Sequence, residues 1–260
     1  MKRIRIDKVL QDHKSLKEIP TSVARSPDGR FMLVEKEFPW GKRNVYIPVE
    51  TEFNEQLQAS RGIPLKLSDT IEDLKIQVRD QVENVNEGDT LRIEELDYVI
   101  ANAFKDRSFS SFCEIGFRIP KLQNFYKKRG MKERGFEINR FNIDLGNSLE
   151  FDCREFNINK EESLDIKDCD LIVCYHVLEH VSDPLRAVKM LYNSASPGTL
   201  FHIEIPVEED GPRIKYGHLY PFFAEDMGKM LEIAGFKIIS SSNMTHTNGP
   251  WIERYSALKE

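Results

Sequence analysis

The chain lacks any run of about 18 consecutive apolar residues, the least that spans a bilayer as a helix. Its opening residues, MKRIRIDKVLQDHKSLKEI, are charged too often to hold the apolar core of a signal peptide. The expectation is a cytoplasmic protein with no membrane partner. An excess of basic charge is lacking too: 37 Lys and Arg stand against 43 Asp and Glu, a net charge of -6. Nonspecific nucleic-acid binding runs on phosphate neutralisation by such cations, so nucleic acid is not an expected partner. Cysteine is scarce. Cys113, Cys153, Cys169 and Cys174 form no CxxC pair and fall in or beside expected strands, which suits small buried thiols in a reducing compartment and argues against a structural zinc site. Internal repeats and low-complexity segments are absent, which excludes a solenoid.

What is present is an alternation of strand and helix patterns. Residues 31 to 49 read as two β-rich runs about a turn at Trp40 and Gly41. Ile71, Leu74, Val78 and Val82 recur at helical spacing, and Leu91 to Phe104 carries Leu96, Val99, Ile100 and Phe104 on one helical face. A loop-like KDRSFSS then separates residues 1–105, a β-hairpin plus helical extension suited to covering a pocket or building a homodimer, from residues 106–260. In the second part, strands at Phe112–Gly116, Gly135–Ile138, Glu150–Asn157, Asp170–Cys174 and Leu200–Ile205 alternate with helices at Lys121–Arg129, Phe141–Leu149 and Ala224–Ala234, and FKIISSS and IERYSALK close the chain. The fold class that follows is α/β, a doubly wound and mainly parallel sheet with an N-terminal α+β extension.

The segment DLIVCYHVLEHVSDPLRAV, Asp170 to Val188, is the most informative. A parallel strand buried on both faces reads as a continuous apolar run, here Leu171 to Cys174, and ligands bind outside the carboxyl ends of such strands. Tyr175 and His176 therefore sit at a crevice edge, while Asp183 and Pro184 have the chemistry of a helix N-cap and first helical position. HVLEH also fits the inverted zinc-protease motif, H-x-x-E-H. Two histidines at i and i+4 on a helix bind one Zn²⁺, yet this motif follows directly on a strand, the helix opens only at Pro184, and no third ligand announces itself. No metal ligands are assigned.

CEIG at 113–116, GFEI at 135–138, VLEHVSDP, and HLYPFFAEDMGKMLEIAGFKII, in that order and spacing, resemble the core of class I S-adenosylmethionine-dependent methyltransferases over residues 112–258. The resemblance implies S-adenosylmethionine as cofactor, held by Glu114, Gly116 and Phe117 after the first strand, by Glu137 on the ribose and Ile138 on the ring, by Asn157 at the adenine, and by Tyr175. Glu137 lies 21 residues after Gly116, close to the ~20 expected for a carboxylate that accepts ribose hydroxyls. The family's further glycines are replaced by Arg118 and Pro120.

Methyl transfer asks mainly for alignment in a dry pocket, with a base where the acceptor is a neutral hydroxyl and positive charge where it is an anion. His176, His180 and His218 are the candidate catalytic groups, and Arg118, Arg213, Lys215 and Tyr216 the candidate substrate contacts. The expected activity is O-methylation of a small polar or anionic metabolite, a sugar or phosphorylated compound as in cell-surface glycan biosynthesis. Two other readings stay open: a methyltransferase-like binding or assembly protein that has lost its donor site, and a zinc hydrolase built on HVLEH.

Overall fold

A computed structural model describes residues 24–25, 31–48, 76, 79–209, 217–245 and 251–260. Most of the helix expected from Ile71 to Val82 lies outside them, although residues 79–83 are helical. Two sheets form. The smaller is antiparallel, β1 (Ala24–Arg25), β2 (Phe31–Phe38) and β3 (Gly41–Pro48), and its β2–β3 hairpin closes where Phe38 pairs with Gly41. Gly41 takes φ +120° there, a conformation open to glycine and strained for other residues.

The larger sheet has seven strands in the order β6-β5-β4-β7-β8-β10-β9. Its strands are β4 (Ser111–Ile115), β5 (Lys132–Glu137), β6 (Cys153–Glu155), β7 (Leu171–Tyr175), β8 (Leu200–Val207), β9 (Lys237–Thr245) and β10 (Trp251–Leu258). β6 through β8 are parallel, and β10 runs antiparallel to both β8 and β9. The doubly wound, mainly parallel architecture is as the alternation implied. Strand β6 is shorter than Glu150–Asn157 because Glu150 takes φ 66° in the turn that ends the preceding helix, and pairing starts only at Cys153.

The helices are α1 (Glu87–Ala103), α2 (Lys121–Lys128), α3 (Arg140–Ser148), α4 (Pro184–Ser194) and α5 (Asp226–Ala234). Period-two alternation on the central strands divides the core between two faces. Leu171 and Val173 pack with Ile93 and Leu96 of α1 and Leu122 and Tyr126 of α2, whereas Ile172 and Cys174 pack with Val188 and Leu191 of α4 and Met227 and Met230 of α5. Each such side chain, fully withdrawn from water, contributes about 1.5–3 kcal/mol. Asp183 caps α4, accepting from Arg186 N at 3.0 Å, with Pro184 opening the helix. Helix α1 begins earlier than Leu91 because the Asn86 side chain accepts from Asp89 N at 2.9 Å.

The hairpin is not detached from this core. Phe38, Trp40 and Ile47 pack against the α4–α5 side, Trp40 Nε1 donates to the Tyr220 hydroxyl at 2.9 Å, and Arg43 pairs with the buried Asp226. Cysteine chemistry departs from the expectation of four thiols. Cys113 and Cys169 are joined by a disulfide, because β4 lies beside β7 and the turn leading into it; Cys153 and Cys174 are buried thiols.

Gly135 on β5 admits no side chain. A Cβ there would lie 1.8 Å from Gln123 Nε2 and 2.6 Å from the Phe117 ring, and both residues are buried. Gly135→Ala is expected to lower stability by about 1–3 kcal/mol through overpacking, read as a lower urea midpoint with an unchanged slope.

Candidate functional site

In the seven-stranded sheet the order reverses between β4 and β7, and a parallel sheet opens a crevice at the carboxyl ends of its strands at such a point. A cavity of about 570 Å³ occupies it. Of the residues expected to act, Glu114, Gly116, Phe117, Arg118, Glu137, Ile138, Asn157, Tyr175, His176, His180 and His218 all border this one cavity. Arg213, Lys215 and Tyr216 lie outside the described residues.

On the side of β4 and β5 the backbone is built around one carboxylate. Glu137 Oε1 accepts from Ile138 N at 2.8 Å and Asn139 N at 3.0 Å, and Oε2 accepts from Arg118 N at 3.0 Å. Gly116 takes φ +74°, and a Cβ there would meet Val177 at 2.4 Å. Arg118 takes φ 42°, so the second glycine of the family pattern is replaced in side chain while its position keeps a positive φ. The Phe117 ring turns into the core with Ile143, Phe151 and Cys153. Glu114 is buried, and its Oε2 has no hydrogen-bond partner. Burial, reinforced by the charge of Asp89, raises its pKa well above the usual carboxyl range. Asn157 Oδ1 accepts from Asn159 N at 3.0 Å, which orients its amide.

On the other side, the chain leaves β7 through His176, whose φ of 53° is unusual for a residue with a side chain. Its Nε2 lies 2.7 Å from Glu204 Oε1 and its Nδ1 3.3 Å from Glu179 Oε1. Burial opposes a charged imidazole, but these two carboxylates outweigh it and raise the His176 pKa to about 9. Glu204, fully buried on β8, also accepts from Arg92 of α1 and Arg254 of β10. Burial alone would raise its pKa; the His176 and Arg92 hydrogen bonds hold it far below. The paired helical histidines of a zinc-protease motif do not form: only Leu178–His180 is a short 3₁₀ turn, and His176 is turned to Glu204 while His180 Nδ1 contacts Gly217 O at 2.9 Å.

Asp89 and Arg92 also border the cavity and were not among the expected site residues. Arg92 Nη1 donates to Asp89 Oδ1 at 2.9 Å, and its guanidinium stacks 4.9 Å from the Tyr175 ring centre. The available signal was Asp89 continuing the apolar stripe of Ile93, Leu96 and Ile100 at helical spacing, a charge where a core residue belongs.

His202, beside Glu204 on β8, is fully buried, with Nδ1 2.8 Å from Ser256 Oγ and Nε2 unpartnered. Burial pushes its pKa down to about 4. The native ring is then neutral while the unfolded one takes a proton below its ordinary pKa of about 6.5. Its contribution is complete above that value and is lost as pH falls towards 4, by at most about 1.4 kcal/mol per unit. Denaturation at a series of pH values should show a shallower acid-side loss in His202→Asn than in the unsubstituted chain.

No curated protein matches the sequence. Among solved structures, the magnesium protoporphyrin IX methyltransferase ChlM from Synechocystis PCC 6803 with bound S-adenosylmethionine superposes with a TM-score of 0.51 at 13% identity, over 81% of this chain and 92% of its own. The same enzyme with bound S-adenosylhomocysteine gives 0.51 at 14%, over 81% and 95%. The [4+2]-cyclase SpnF gives 0.53 at 14% identity, over 76% of this chain and 98% of its own. These likenesses concern the fold. Residues 90–241, more than half of the chain, match a family model described as a methyltransferase domain. With that match over a sheet whose reversal point carries the cavity, the chain belongs to the methyltransferase family and has the class I S-adenosylmethionine-dependent fold.

Proposed function

We propose that the chain binds S-adenosylmethionine at the β4–β5 side of the cavity and methylates an oxygen of a small polar or anionic acceptor, such as a sugar or phosphorylated compound, on the histidine side. The observation that carries this reading is Glu114: a buried carboxylate at the end of β4 with an oxygen that nothing satisfies. An unpaired buried carboxylate is costly and favours an arriving cation, and the ammonium of the donor's methionine end is one. Gly116, where a Cβ would clash, leaves backbone bare at the same rim. The residues thus fit the donor.

Glu137 holds the loop that carries Arg118 by accepting its backbone N–H. Its carboxylate oxygens have further acceptor capacity for ribose hydroxyls. Asn157 offers both donor and acceptor chemistry to an adenine edge, and Ile138 an apolar surface. Bound in this way, S-adenosylmethionine supplies a methyl group already activated by its sulfonium. The chain's part is alignment and exclusion of water. His176, His180 and His218 face the acceptor, with Arg118, Arg213, Lys215 and Tyr216 assigned to its anionic groups. The β2–β3 hairpin docks on Tyr220 and Asp226, shortly after His218 in the chain. Among the described residues no helix is long and apolar enough to cross a membrane.

A second reading, a methyltransferase-like binding protein without donor, is favoured by Arg118 and Pro120 in place of glycines. Calorimetry with S-adenosylhomocysteine separates the two. The unsubstituted chain should bind it, and Glu137→Ala should weaken binding about 10- to 100-fold, the loss of hydrogen bonds to a charged group worth about 1.5–3 kcal/mol. No heat of binding from the unsubstituted chain establishes the second reading instead.

A further inference from the structure

We propose that Glu179, His180 and His218 form a binding site for a first-row divalent cation such as Zn²⁺ in the wall of the cavity. One ligand atom from each of the three lies within 4.8 Å of the others. With bonds of about 2.0–2.2 Å, two ligands of one tetrahedral ion sit roughly 3.4 Å apart, so small side-chain rotations bring the set to bonding distance.

Each member is prepared for the role. Glu179 is 1% exposed, with Oε1 3.3 Å from His176 Nδ1 and Oε2 buried without any hydrogen-bond partner. A carboxylate oxygen in that condition is paired with a cation or remains costly. His180 places Nδ1 2.9 Å from Gly217 O, and His218 places Nδ1 2.7 Å from Glu208 Oε1. Carbonyl and carboxylate oxygens only accept, so Nδ1 carries the proton in both rings and Nε2 is the lone-pair atom of the neutral imidazole. A histidine whose second nitrogen is tied to a carbonyl or carboxylate is the usual outer support of a metal ligand. The two imidazoles lie with ring centres 5.0 Å apart at 75°.

The backbone fixes the same convergence. Glu179 O accepts from Leu219 N at 2.7 Å and Tyr220 N at 3.1 Å, which ties the 3₁₀ turn after β7 to the segment carrying His218. Three protein ligands of nitrogen and oxygen type, without thiolate, suit zinc and leave a coordination position for a further ligand. All three residues border the cavity. The set is also distinct from the H-x-x-E-H arrangement, since His176 is replaced by a histidine distant in sequence. That the vacant position receives the acceptor oxygen and lowers its pKa rests on the methyltransferase reading; cation binding does not.

Chelator-treated full-length chain should be titrated with Co²⁺, whose visible ligand-field bands report nitrogen and oxygen coordination. One cation per chain is expected, displaced by Zn²⁺. Glu179→Gln and His218→Ala should each abolish the bands, and Glu208→Gln should weaken affinity about 10- to 100-fold through loss of the outer support. Histidine proton resonances of the unsubstituted chain, broadened by Co²⁺ at His180 and His218, give a readout that requires no variant to fold. Absence of Co²⁺ binding by the unsubstituted chain, or unchanged bands in folded His218→Ala, overturns the proposal. S-adenosylhomocysteine calorimetry on the same samples keeps the two readings apart: nucleoside binding without Co²⁺ binding sinks only the cation site, and Co²⁺ binding without nucleoside binding sinks only the donor site.

Discussion

Glu204 accepts hydrogen bonds from Arg92 of α1, Arg254 of β10 and His176 at the end of β7, with none of its own surface exposed. A buried carboxylate is tolerated only when cations and donors surround it, and removing one partner of such a pair typically costs about 3–5 kcal/mol. The arrangement therefore adds an ionic tie among elements already packed or paired in the sheet: the helix before it, the last strand, and the turn on which the cavity's histidines sit. Because His176 N also donates to Glu204 O at 3.1 Å, the same residue fixes the turn by backbone and by side chain. The φ of 53° at His176 is a conformation that surrounding contacts must impose. Glu204 imposes it.

A second carboxylate does comparable work on the opposite rim. The three backbone N–H groups gathered by Glu137 belong to the loop after β4 and the turn after β5. Arg118 holds a positive φ there with its N–H bonded to Glu137 and its side chain exposed. Glycine at that position is one solution to the geometry, and an anchored residue with an outward side chain is another.

The sheet was legible because its strands carry both kinds of information that a sequence stores locally. Leu171–Cys174 is a continuous apolar run bounded by polar residues, which marks burial on two faces, and Leu200, Phe201, Ile203 and Ile205 supply most of the next strand around His202 and Glu204. The order of CEIG, GFEI and VLEHVSDP then placed Glu114, Gly116, Glu137 and His176 at one edge, and they border one cavity. What escaped was non-local. Arg92 meets Glu204 across 112 positions of sequence, and no periodicity foretells such a contact. Asp89 and Arg92 sit on a helix assigned to the extension, where a mixed run of charges reads as a solvated face. His218 was expected near the acceptor, but its convergence with Glu179 follows from two backbone hydrogen bonds between Glu179 O and the Leu219–Tyr220 segment, which only the folded chain displays. The Cys113–Cys169 bond is non-local in the same sense, set by strand adjacency.

The cavity is thereby divided by charge. At its β4 end stand Glu114 and Asp89, with Lys121 3.7 Å from Asp89 and Arg92 reaching from Asp89 to Glu204. At its β7 end stands an imidazole kept cationic by two carboxylates, beside the Glu179, His180 and His218 cluster. Arg92 spans the two, pairing with Asp89 at one end and Glu204 at the other. Coulomb interactions in a partly enclosed space act over several ångströms, whereas shape complementarity acts only on contact. On the proposed reading, the donor's ammonium meets Glu114 on contact and favours the ionised form of a carboxyl that burial otherwise disfavours. On the same reading, an anionic acceptor is drawn to the imidazole at the opposite end, and the two partners are sorted to their sides.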